Sequence, residues 1–178
     1  MSRRPHPRRL LALHEAAHAC VYLWQGRTID HVWITGAKVD GMAAEGACQV
    51  VPAHSRIDDF IEVSMAGYLA ERRASWKGPE PLDPGYQSDL IDFFDASEVG
   101  GPDINDSIEA ARRLPWIDSD IAAWFYVLDR CAPVDTLLGT LWPAIEAVAD
   151  LLLRRRKLSG FDVKSAYDLS TRPCEVAA

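Results

Sequence analysis

The chain is predicted to be mainly α-helical, with one β-hairpin inserted after the first helix. Three features predict this. Apolar residues recur at helical spacing through most of the chain, and two short runs rich in β-branched residues flank a glycine-containing connection. The 178 residues are also 48% hydrophobic, enough to bury a single core.

The elements follow in order. Residues 1–9, MSRRPHPRR, hold two prolines and no acid, and are expected to form a flexible basic tail ahead of one domain at 10–178. Leu10, Leu13, Ala17, Cys20, Val21 and Trp24 share a helical face, and Gly26 in QGR supplies the stop. TIDHVWITG and GACQVVP are the two hairpin strands. Residues 56–75 return to helical periodicity through Ile57, Phe60, Ile61, Met65 and Leu69. From Trp76 to Ile104 prolines and glycines predict a long loop, with SDLIDFF able to make one helical turn; its position suggests a segment that gates a site. Helices are then expected near 105–114, 119–131 and 134–157, with a short one around DVKSAYDL.

Charge and composition exclude several classes. The formal net charge is -7, and four arginines lie in the first nine residues, so the rest carries 26 acids against 15 bases. Such a body is a poor match for nucleic acid. His14, Glu15 and His18 interrupt the early apolar run, so no export signal is read. The longest apolar stretch, IAAWFYVL, is far short of the roughly 18 residues that span a bilayer, and no membrane insertion is expected. Cys20, Cys48, Cys131 and Cys174 form no CxxC pair, which fits reduced thiols and a cytoplasmic setting.

Within LALHEAAHAC, His14 and His18 stand four apart on the expected first helix, with Glu15 directly after the first histidine. Positions i and i+4 lie one above the other, so both imidazoles can converge on one cation. Glu15 is rotated by about 100° from His14, which sets its carboxylate beside the ion and not on it. This H-E-x-x-H pattern suits Zn2+, which acidifies water toward a pKa of roughly 7 and polarises a carbonyl while the glutamate takes the proton. A third ligand is needed. Val21 and Trp24 stand where a metzincin carries glycine and histidine, so that class is excluded, and Glu71 is the formal gluzincin candidate. The remaining histidines, His6, His31 and His54, read as structural or solvated. The basic run from Arg154 to Lys157 suits the dipole at a helix C-terminus and is assigned no role.

HEAAHACV resembles the HEAGHA helix of the peptidase domain of FtsH-type ATP-dependent zinc proteases. MAGYLAERRAS resembles that family's second-helix motif, INDSIEAARRL its Asn-Asp helix, and LWPAIEAVADLLLRRRKLSGFDV its closing helix and turn. Coverage is about residues 10–165. The resemblance implies a zincin-like helical peptidase domain: a zinc-dependent endopeptidase acting on flexible or unfolded segments, with His14 and His18 as ligands and Glu15 as base. It also implies an aspartate as third ligand. Asp106 is the first choice because SIEAARRL follows it as in the family's helix, with Asp103 and Asp89 as alternatives. Ala17 replaces the family's usual glycine, adding one methyl group. The chain contains no GxxxxGK[ST] phosphate loop, so a separate unfoldase or adaptor is the partner implied for folded substrates. The competing expectation is a non-catalytic protease-fold module whose zinc is structural.

Overall fold

The computed structural model describes residues 7–35, 46–51, 56–75 and 102–171. Among these residues the order is α1 (Pro7–Trp24), β1 (Ile29–Ile34), β2 (Gly46–Val50), α2 (Ile57–Ser75), α3 (Pro102–Ala111), α4 (Asp120–Arg155), β3 (Lys157–Ser159) and α5 (Gly160–Thr171). The chain is mainly α-helical with a small three-stranded sheet, ordered β2-β1-β3. Helices α1, α2 and α4 pack on one another, α3 lies against α2 and α4, and α5 lies against α4 and β1.

Helix α1 begins at Pro7, three residues before the expected boundary. Proline is well suited to a first helical turn, where its missing N–H has no partner to lose. Arg8 and Arg9 are held there by the Leu153 carbonyl and by Asp150 and Glu146 of α4. The helix ends as the sequence indicates. Gly26 has φ 75, Gly26 N–H donates to Leu23 O and Arg27 N–H to Tyr22 O, which is the Schellman arrangement.

Strands β1 and β2 form the expected antiparallel pair. A register irregularity between Ile29 and His31 explains why the buried residues of β1 are Ile29, Val32 and Ile34 instead of a strict alternation. The third strand was not expected. Three residues, KLS, are too few to show a period, and their strand character comes from pairing Lys157, Leu158 and Ser159 with Trp33, Val32 and His31.

The two expected helices near 119–131 and 134–157 are one helix of 36 residues, α4, which runs through Pro133 and Pro143. An interior proline costs roughly 3 kcal/mol. Burial of Val127, Val134, Leu138, Leu141, Ile145, Val148 and Leu152 along the same helix outweighs that cost. Once continuous, α4 contains an 18-residue window of mean hydropathy 1.4, so one helix does have the length and composition to cross a membrane, contrary to the sequence expectation. In the fold its apolar side forms the core with α1 and α2. Helix α3 starts at Pro102, so residues 102–104 are helical and not the end of a loop; 76–101, including the suggested gating segment and Asp89, lie outside the described residues.

Gly160 sits where β3 passes into α5, and a Cβ there would stand 1.8 Å from the Ile29 carbonyl oxygen. Overpacking costs about 1–3 kcal/mol where side chains can give, but the obstacle here is backbone. Gly160→Ala should therefore cost at least about 3 kcal/mol. Gly26→Ala meets nothing within 4 Å and should lose only about 1 kcal/mol through its positive φ. Urea midpoints compare the two; an unchanged midpoint for Gly160→Ala would show that β1 and α5 do not meet in this way.

Candidate metal centre

Small side chains bring α1 and α2 close. Ala12, Ala16, Ala17 and Ala19 of α1 and Ala66, Gly67 and Ala70 of α2 leave little between the two helices. At Gly67 a Cβ would stand 2.5 Å from His18 Nε2 and 2.6 Å from His14 Nε2. The two imidazoles therefore lie against bare backbone, their centroids 4.6 Å apart and their planes at 78°.

Each ring has one nitrogen engaged by α2. His14 Nδ1 is 2.7 Å from Glu71 Oε1, and His18 Nδ1 is 2.7 Å from the Val63 carbonyl oxygen. A carbonyl oxygen can only accept, so His18 carries its proton on Nδ1 and presents the Nε2 lone pair; a carboxylate favours the same tautomer at His14. Both Nε2 atoms turn toward Asp103, in the first turn of α3. Asp103 Oδ2 is 2.9 Å from His14 Nε2 and 3.5 Å from His18 Nε2. The three ligand atoms lie within 4.8 Å of one another, close enough to share one cation. His14, His18 and Asp103 form a possible metal-binding triad, the group that the described residues contain.

The charges point the same way. Burial alone would lower the His14 pKa, but the hydrogen bonds and charges of Asp103 and Glu71 outweigh it and raise it to about 10. Burial pushes Asp103 up, and the two histidines more than reverse this, holding its carboxyl well below the usual range.

Glu15 lies beside the triad, with only 5% of its surface exposed. Gly46, at the start of β2, covers it: a Cβ there would come within 2.5 Å of Glu15 Oε1. Burial raises the Glu15 pKa, partly opposed by His18 and His14. Burial likewise pushes the Cys20 and Cys48 thiols up, so they remain protonated.

The structure thus places His14, Glu15 and His18 together, and the aspartate at the histidines among the described residues is Asp103, one of the two alternatives, and not Asp106. Asp106 is exposed, on a groove of about 430 Å³ with Arg56, Phe60, Glu109 and Arg113. The reason is the early start of α3. Pro102 opens the helix, which places Asp103 in its first turn beside the histidines, and Asp106 three residues further on stands about 4.5 Å along the axis from it. The Asn105-Asp106 pair that carried the resemblance is therefore not the pair at the histidines. Glu71 meets His14 on Nδ1, the nitrogen that faces away from Asp103, which makes it an orienting group and not a ligand. Its sequence signal was weak: one glutamate in a helix whose register against α1 was unknown. His31 pairs with Asp30 at the surface, and His6 and His54 lie outside the described residues.

No protein-family model matches the chain, and no curated protein matches it.

A divalent ion entering the triad would displace the proton that the raised pKa of His14 favours. At pH 7.5, below the raised pKa of about 10, binding should release about one proton. Calorimetry in two buffers of different ionisation enthalpy measures this, and a release of zero would show that His14 is neutral or not a ligand. In the same titration Asp103→Ala should lose zinc affinity at least tenfold, while Asp106→Ala retains it.

Proposed function

We propose that the protein is a zinc-dependent endopeptidase that hydrolyses peptide bonds in flexible or unfolded protein segments. The observation that carries this is the placement of a buried glutamate, Glu15, beside three convergent donors, His14, His18 and Asp103. Three protein ligands characterise catalytic zinc, whereas a structural zinc is closed by four. Two imidazoles and a carboxylate suit zinc among the common divalent ions. Bound there, zinc would supply Lewis-acid polarisation of a substrate carbonyl and acidify water.

The remaining work falls to this chain's own residues. Glu71 and the Val63 carbonyl hold the two rings in the tautomer that presents Nε2. Glu15 accepts the proton of the attacking water and returns it to the leaving amine; its raised pKa brings it nearer the pH at which a carboxylate serves as both base and acid. Gly46 packs against Glu15 and limits the positions its side chain can take. Substrates with stable folds would require a separate unfolding partner or adaptor.

Glu15→Gln removes the proton acceptor and leaves the ligands. It should bind zinc as the wild type does and cleave denatured casein at least 100-fold more slowly. A chelator should abolish wild-type cleavage, and added zinc should restore it. Equal cleavage by wild type and Glu15→Gln would refute the assignment, and a loaded protein with no cleavage would favour the non-catalytic module with a structural zinc.

A further inference from the structure

At the end of the molecule opposite the start of α4, cations accumulate on an otherwise acidic chain. Arg8 Nη2 donates to the Leu153 carbonyl at 3.2 Å, and Arg9 reaches Asp150 at 2.9 Å, so the start of α1 is tied to the last turns of α4. Arg154, Arg155, Arg156 and Lys157 follow there, all exposed. Arg155 pairs with Asp162 at 3.0 Å. Arg154, Arg156 and Lys157 form no ion pair among the described residues.

Two features of this end are not explained by packing. Arg156 has φ 63, the left-handed C-cap position at which glycine is the unstrained choice, yet the chain places a cation there. Phe161, in the first turn of α5 next to Asp162, is 82% exposed, the most exposed large apolar side chain among the described residues. The dipole of α4 favours cations along this whole run, but it does not account for the exposed aromatic ring of Phe161 that follows a few residues later.

We propose that this end docks peripherally on an anionic phospholipid surface, with Arg154, Arg156 and Lys157 against the headgroups and Phe161 in the interface. Clustered cations next to an exposed aromatic match such a surface, where charge attracts and the ring is removed from water. The net charge of -7 opposes wrapping by a long polyanion, whereas a small cationic end can meet a flat anionic surface while the acidic body stays away from it. The docking is independent of whether the metal centre cleaves peptides.

The test is co-sedimentation of the full chain with vesicles of phosphatidylcholine alone or with about one third phosphatidylserine. Binding is expected only to the anionic vesicles and should weaken as salt rises. Each cation at such a surface contributes about fivefold, so R154Q/R156Q/K157Q should bind about 100-fold more weakly. Phe161→Ser should also weaken binding, while Arg113→Gln, beyond the far end of α4, should leave it unchanged. Far-UV circular dichroism and zinc content serve as fold controls. The proposal is overturned if the wild type ignores anionic vesicles, if the triple variant binds them equally well, or if an oligonucleotide binds more tightly at the same salt.

Discussion

The close approach of α1 and α2 at Gly67 is the constraint on which the rest of the centre depends. An α-helix four residues apart presents two side chains on one face, but their direction is fixed only when something lies against them. Here that is the backbone of Gly67, with a Cβ excluded at 2.5 Å. Once the rings lie on that backbone, Val63 and Glu71, about one turn to either side, fall within reach of the two Nδ1 atoms. The Nε2 atoms are then left facing α3, where Asp103 enters.

Electrostatics makes the same arrangement depend on a cation. Asp103, Glu71 and Glu15 bring up to three negative charges around two histidines in a partly buried setting. Burying carboxylates without a partner is costly, and the two imidazoles are the groups that pull Asp103 toward its charged form. A proton on His14 or a divalent ion meets the need, and the ion meets it with more charge. Two of the acids differ in their use: Asp103 is pulled toward ionisation by the histidines, while Glu15 is pushed toward protonation by burial. Groups with opposite shifts at one site can take different roles, one as ligand and one as proton carrier.

Much of this was legible in the sequence because it is local. His14, Glu15 and His18 need only an amphipathic helix to be read as a group, and Gly26 needs only the rule for helix ends. The antiparallel pair β1 and β2 follows from two β-rich runs. What was not legible is what depends on distant partners. Pro133 reads as a break until the apolar residues on both sides are seen to face one core. Leu158 gains its strand from pairing with Val32. Asp103 and Asp106 differ by less than a turn of helix, and Pro102 could be read as the end of a loop or as the first residue of a helix. Only the packing of α3 on α2 and α4 decides between them, and it leaves Ile104, Ser107 and Ala111 buried.

X-ray absorption at the zinc edge of the loaded protein tests the centre most directly, because it reads the donor atoms without relying on activity. The expected first shell holds two imidazole nitrogens and oxygen donors near 2.0 Å, with one oxygen exchangeable for an added anion. A sulfur scatterer near 2.3 Å, which Cys20 or Cys48 would supply, contradicts it, as does a closed shell of four protein ligands.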